Sequence, residues 1–243
     1  MKLQTAVRLI YPAQCLTCGS TVDAGSALCG ACWRDTPFIS GFVCACCGVP
    51  LPGSETDSHT IGEALCDDCL NTKRPWRRGY AAFLYEKNGR RLVLALKHGD
   101  RTELARSAAH WMLRVLPDLR PGTVVVPVPL HWKRLLRRRF NQSALLATHL
   151  ARTAGYQVLP DALCRSQNTA SLDGTSREER FARLKGSIHP HRTNGAELKG
   201  RNVLLVDDVM TSGATLMACT LACQEAGASC VDVTVLARVA KGP

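Results

Sequence analysis

Between Val203 and Thr215 the chain reads Val-Leu-Leu-Val-Asp-Asp-Val-Met-Thr-Ser-Gly-Ala-Thr, and few folds accommodate that order of chemistry. Four apolar residues in a row, Val203 to Val206, suit a strand buried on both faces, as in a parallel sheet covered by helices. Such a strand delivers its last residues to the carboxyl edge of the sheet, where open α/β folds bind ligands. Beyond it, Thr211, Ser212 and Thr215 offer hydroxyls, Gly213 permits close backbone approach, and Ala214 opens a periodic stretch that reads as a helix. Backbone N–H groups at a helix start favour an anion. The adjacent acids Asp207 and Asp208 repel that anion, so their partners are neutral hydroxyls or a divalent cation. A phosphate at one end and a diol at the other describe a ribose 5-phosphate.

A second constraint lies at the other end. Four Cys-x-x-Cys knuckles occur at Cys15/Cys18, Cys29/Cys32, Cys44/Cys47 and Cys66/Cys69. Each brings two thiolates to one side of a tight turn, and two knuckles complete a closed tetrahedral zinc site. In sequential pairing, ten residues separate the first two knuckles and eighteen the last two, the latter a typical zinc-ribbon spacing. An interleaved pairing stays open, and Cys46 could replace Cys44 or Cys47. Two structural zincs would hold together a region poor in large apolar residues. Cys164, Cys219, Cys223 and Cys230 lack knuckle spacing; Cys219 and Cys223, four apart on one helix face, read as small buried hydrophobes.

Charge divides the chain in the same way. Residues 1–72 carry three basic and seven acidic side chains, whereas the remainder carries twenty-eight and thirteen, within a total of +11. This implies a zinc-binding domain over 1–72, a charged linker over 73–79 and a basic domain over 80–243, which would attract polyanions. No apolar run is long enough to span a membrane, and the first residues lack a signal-peptide pattern. The expected compartment is the cytosol, where thirteen cysteines imply metal or buried thiols rather than a disulfide framework.

Within the basic domain, strands are expected at Tyr80–Tyr85, Thr123–Pro127, Val203–Val206 and Val231–Leu236. Helices are expected in a stretch ending near Lys97, after an Asp100-x-x-Glu103 capping box, from Asn141 to Gly155, and from the Ser212–Thr215 turn to Gly227. Trp111 falls on the apolar stripe of the second helix and reads as core. The alternation gives an α/β fold, a mostly parallel sheet with flanking helices, preceded by a small zinc-ribbon domain. Five cations lie between His131 and Arg139, directly after a strand and before a helix start, and suit a second phosphate group. The polar stretch from Leu163 to Ser187 reads as a lid or as an unstructured insertion. No Walker A sequence occurs, so ATP-driven strand movement would require a partner motor.

The four knuckles, Tyr85 through Leu96-Lys97, Val126-Pro127-Val128-Pro129-Leu130-His131, Phe140-Asn141-Gln142, Glu179-Arg180 and the Val203–Thr215 motif together resemble the ComF family of competence proteins, also represented by GntX-type proteins. That family joins a double zinc ribbon to a type I phosphoribosyltransferase-like domain. The resemblance implies that Asp207 and Asp208 meet the hydroxyls of 5-phosphoribosyl-1-pyrophosphate (PRPP) and that Thr211, Ser212, Gly213, Ala214 and Thr215 cradle its 5-phosphate. It places the pyrophosphate, bridged by Mg²⁺, along Lys133, Arg134, Arg138, Asn141 and Gln142. It further implies a role in DNA uptake, handling incoming single-stranded DNA in the cytosol beside a helicase or DNA-processing protein. The alternative is transfer of phosphoribose to an acceptor, in which the acids stabilise the cationic sugar. Where the family usually has Arg-Gly-Phe-Asn-Gln, this chain has Arg139 at the glycine. In the lid, the usual Gln, Leu and Asn fall at Leu172, Thr175 and Arg183.

Overall fold

The computed structural model describes residues 12–23, 28–53, 64–98, 101–166 and 186–240. Asp100 of the capping box, and Leu172, Thr175, Glu179, Arg180 and Arg183 of the expected lid, lie outside them.

Two short helices, α1 (Gly30–Asp35) and α2 (Asp67–Leu70), belong to the cysteine-rich region. The chain then builds β1 (Gly79–Leu84), α3 (Lys87–His98), α4 (Leu104–Leu113), β2 (Val124–Pro127), α5 (Trp132–Arg138), α6 (Gln142–Ala154) and β3 (Gln157–Val158). A two-stranded antiparallel unit, β4 (Leu163–Arg165) with β5 (Ile188–Pro190), precedes β6 (Asn202–Met210), α7 (Ala214–Glu225) and β7 (Cys230–Arg238). The main sheet has the order β1-β7-β6-β2-β3, and all its pairings are parallel. Its central strand, β6, is the apolar run: Val203 to Val206 are buried, flanked by the equally buried Val124, Val125 and Val126. Covered on both faces, these strands carry no polar alternation.

One face is covered by α3, α4 and α6, with Leu96, Met112, Leu146 and Leu150 packed on Leu204 and Val206. Trp111 lies there as core, 8% exposed. The opposite face is covered by α7 and also by the second half of the cysteine-rich region: Cys44, Cys46, Cys47 and Cys69 share a core with Val203, Leu205 and Val233. Cys219 and Cys223 are fully buried in this second core. Burial pushes both thiols up, Cys223 to about 12, so they remain protonated packing groups.

The segment 73–79 is packed against the body. Arg74 and Trp76 are buried, and Trp76 Nε1 donates to Cys46 O at 2.7 Å. Gly79 then enters β1 so close to the knuckle that a Cβ there would collide with Cys46 O. The stretch between the two cysteine clusters also pairs with the edge strand, through Ile39 N to Ala82 O and Leu84 N to Pro37 O, both at 2.9 Å. No helix among the described residues is long and apolar enough to cross a membrane.

Candidate functional site: the carboxyl edge of β6 and its neighbours

The parallel order brings the carboxyl ends of β2 and β6 side by side, with Pro127 paired to Val206. The chain beyond β2 becomes the basic helix α5, and the chain beyond β6 becomes the hydroxyl-rich loop, so both expected anion-binding segments leave the same edge.

The two acids receive different treatment. Asp208 is buried, 8% exposed, and Lys97 Nζ, from the end of α3, lies 3.2 Å from its Oδ1. Asp207 is partly buried and accepts from Ser143 Oγ at 2.8 Å and from the backbone N–H of Asp208 at 2.9 Å. Burial first, and the neighbouring Asp208 second, push its carboxyl up to about 7, against the pull of Ser143, the Asp208 N–H and Lys97. Asp208 thus has an ammonium partner, whereas burial favours the neutral form of Asp207. The ion pair and the raised carboxyl together lower the negative charge that an incoming diol or cation meets.

The loop Thr211–Ser212–Gly213 leads into α7 with Gly213 as its N-cap at φ 79°. The N-cap makes no side-chain cap bond among the described residues; Ala214 N reaches Ser212 Oγ only at 3.4 Å. A Cβ on Gly213 would lie 2.7 Å from Arg74 Nη1 and 3.2 Å from the Trp76 ring. Glycine is required there both by the left-handed backbone and by the packing behind it. Behind the loop, Arg74 Nη1 donates to Ser212 O at 2.5 Å, and Arg238 Nη1 donates to Thr211 O at 2.8 Å.

Helix α5 is capped by His131, whose Nδ1 accepts from Lys133 N at 3.3 Å. Lys133 is exposed, and Arg134 and Arg138 are partly buried. Trp132 is 58% exposed, with Lys133 Nζ 5.5 Å from its ring centroid. Asn141 caps α6, accepting from Ser143 N at 3.0 Å and donating to Val128 O at 3.0 Å. Gln142 is buried; it accepts from Arg138 Nη1 at 3.3 Å and donates to Lys97 O at 3.4 Å. Asn141 and Gln142 thereby tie the basic helix to β2 and to the lysine that faces Asp208. Arg139 closes α5 in the left-handed region, at φ 65°. That backbone explains why a glycine suits the position.

Three groups not expected from the sequence join the site: Lys97, Ser143 and Arg165. Arg165, on β4, is partly buried; burial and the Arg134 charge lower its pKa, while Asp207 opposes them. It lies within electrostatic reach of both the basic helix and the acid pair. Lys97 sits at a helix end beside Gly99, and Ser143 follows the Asn-Gln pair. Neither position carries a local signal of its partner, which lies far away in the chain.

The cysteines form two separate clusters, Cys15/Cys18/Cys29/Cys32 and Cys44/Cys47/Cys66/Cys69, each with its sulfurs within 4.8 Å of one another. The pairing is sequential and excludes Cys46. Cys18 Sγ to Cys29 Sγ and Cys47 Sγ to Cys66 Sγ are both 3.7 Å. A tetrahedral ion with Zn–S bonds of about 2.3 Å requires an S···S edge of about 3.8 Å, so both clusters fit zinc. Cys29 N also donates to Cys15 Sγ at 3.3 Å, as expected for a charged thiolate.

Residues 6–70 match the family described as double zinc ribbon domain, and residues 141–243 match phosphoribosyl transferase domain. DNA utilization protein YhgH of Escherichia coli (strain K12) is 30% identical over 237 residues, covering 95% of this chain and 99% of that protein. Competence protein F of Haemophilus influenzae is 27% identical over 233 residues, 93% and 96% of the two chains. Among solved structures, the glutamine PRPP amidotransferase from B. subtilis complexed with ADP and GMP aligns over 59% of this chain and 30% of its own, at 17% identity and a TM-score of 0.40. The chain belongs to the family that includes DNA utilization protein YhgH and the competence proteins F and ComFC.

Proposed function

We propose that the protein binds PRPP, or a related ribose 5-phosphate, with Mg²⁺ at the carboxyl edge of β6, and that it serves DNA utilisation by handling incoming single-stranded DNA in the cytosol. The observation that carries the ligand assignment is the junction of two adjacent acids with a glycine-capped helix start. Asp207 and Asp208 receive the ribose hydroxyls, and Thr211, Ser212, Gly213, Ala214 and Thr215 receive the 5-phosphate through backbone N–H and hydroxyl groups. Lys133, Arg134 and Arg138 face the pyrophosphate, which brings Mg²⁺ with it because that ion prefers phosphate oxygens and retained water. Asn141 and Gln142 hold this cationic segment in place. The names of the relatives and the excess of positive charge beyond residue 72 support the DNA role, as do the exposed aromatic–cation pairs Trp132/Lys133 and Trp33/Arg114. A helicase or other DNA-processing protein would supply the motor.

A second reading, transfer of phosphoribose to an acceptor, is favoured by one observation: two carboxyl groups stand where a cationic sugar would develop.

Thermal melting tests the ligand. At PRPP and Mg²⁺ near 100-fold the dissociation constant, binding adds about 2.7 kcal/mol, a rise of roughly 5–10 °C for a chain of this size. The double variant Asp207→Asn/Asp208→Asn removes the response. An unchanged midpoint in saturating PRPP overturns the assignment. Affinity for a single-stranded oligonucleotide falls steeply with salt if the basic domain holds it; salt-independent binding, or none at low salt, counts against the DNA role.

A further inference from the structure

One knuckle of the second cysteine cluster reaches the phosphate loop from behind through Arg74, and the other bonds Trp76, whose ring packs beside Gly213. Asp68 lies between Cys66 and Cys69; its Oδ2 accepts from Arg74 Nη2 at 2.8 Å and stands 3.7 Å from Arg238 Nη2. Cys46, between Cys44 and Cys47, accepts the Trp76 indole N–H through its carbonyl. Arg74 and Arg238, 7% and 4% exposed, pass the connection on: Arg74 to Ser212 O, and Arg238 to Thr211 O and to Met210 O at 3.2 Å. A loop that offers its N–H groups to an anion turns carbonyls the other way, and buried carbonyls need donors. Here the donors are two guanidinium groups, and the carboxylate that orients them belongs to a zinc knuckle. The first cluster makes other connections: Asn88 Nδ2 donates to Cys32 O at 3.1 Å, and Arg101 Nη1 to Leu16 O at 2.9 Å.

We infer that Asp68 is a positioning residue for the phosphate loop, acting through Arg74 and Arg238, and that the second zinc cluster, by fixing the Cys66–Cys69 knuckle, sets the loop conformation that accepts a sugar phosphate. The ligand part of this inference rests on the function proposed above; the mechanical part does not. Two buried cations share one carboxylate, so removing Asp68 leaves both guanidiniums without their orienting charge, and the carbonyls they hold are released with them. The second ribbon is therefore part of the binding site's frame.

The test uses the full chain with Asp68→Asn and, leaving the knuckle untouched, Arg74→Lys. Zinc content is measured by mass spectrometry, amide hydrogen exchange is followed over 203–217, and PRPP affinity is measured by calorimetry. Expected are wild-type zinc content in both variants, at least tenfold faster exchange at 211–216 with unchanged protection at 203–206, and at least tenfold weaker PRPP binding. A residue that merely stabilised the fold would lower protection of 203–206 together with the loop. Wild-type loop exchange in both zinc-loaded variants overturns the inference, as does a uniform loss of protection across the domain. If the wild-type protein fails to bind PRPP, the ligand assignment falls while the exchange comparison still decides the role of Asp68.

Discussion

Replacing Asp207 by Asn removes a charge that the fold accommodates badly. Its carboxyl moves from an ordinary 3.8 up to about 7, because burial and Asp208 both oppose ionisation. A carboxyl raised in this way binds more protons in the native than in the unfolded chain between those two values. Native stability therefore falls as pH rises through that window, levels off above it, and is free of the penalty below about pH 4. The span corresponds to about 4 kcal/mol at pH 8 and about 2 kcal/mol at pH 5.5. Asparagine keeps an Oδ1 that can accept from Ser143 Oγ and from the Asp208 N–H, so the variant escapes the penalty without losing those bonds. The unliganded variant should melt above the wild type, and the gap should widen by roughly 4–8 °C between pH 5.5 and pH 8 for a chain of this size. Groups remote from Asp207 are common to both proteins, so they cancel in the difference. Calorimetric melts at a series of pH values provide the measurement. A gap that is constant with pH, or that grows toward acid, refutes a raised carboxyl at Asp207.

Two further outcomes follow from single residues. Arg139→Gly relieves a left-handed backbone at φ 65° and should stabilise the protein by about 1 kcal/mol in urea unfolding; a loss of stability would mean that the Arg139 side chain contributes more than the backbone strain costs. Cys47→Ser should lose one of two bound zincs and Cys46→Ser neither, since only Cys47 lies in a four-sulfur cluster. Metal analysis giving the reverse would place Cys46 among the ligands.

The parts of this molecule that could be read from the sequence are those governed by local rules. The apolar run Val203–Val206 declared a strand covered on both faces, and it is the central strand of a parallel sheet. Asn141 and Gly155 bounded a helix, and they are its caps. Knuckle spacing fixed which sulfurs could meet within a Cys-x-x-Cys, but only the fold chose sequential over interleaved pairing. The basic run was legible as charge, yet the spacing of Trp132, Leu135 and Leu136 resembles a core stripe, while the folded helix leaves all three exposed. What hid from the sequence is the long-range wiring. Arg74 and Trp76 sit in a stretch whose proline and charge describe a linker; Arg74 there bridges a zinc knuckle to a distant loop, and Trp76 bonds the other knuckle and packs beside Gly213. Lys97 and Ser143 meet the acids across 111 and 64 residues of chain respectively. Such contacts leave no periodicity, because a lone polar partner needs only to arrive with the right donor. The acid pair itself announced a ligand, but that its two carboxyl groups differ, one paired with Lys97 and one raised by burial, follows only from the fold. This difference makes the site tolerable before a ligand arrives: two ionised acids side by side at the end of a buried strand would require a permanent cation, whereas one ion pair and one carboxyl near its midpoint can wait for the ligand.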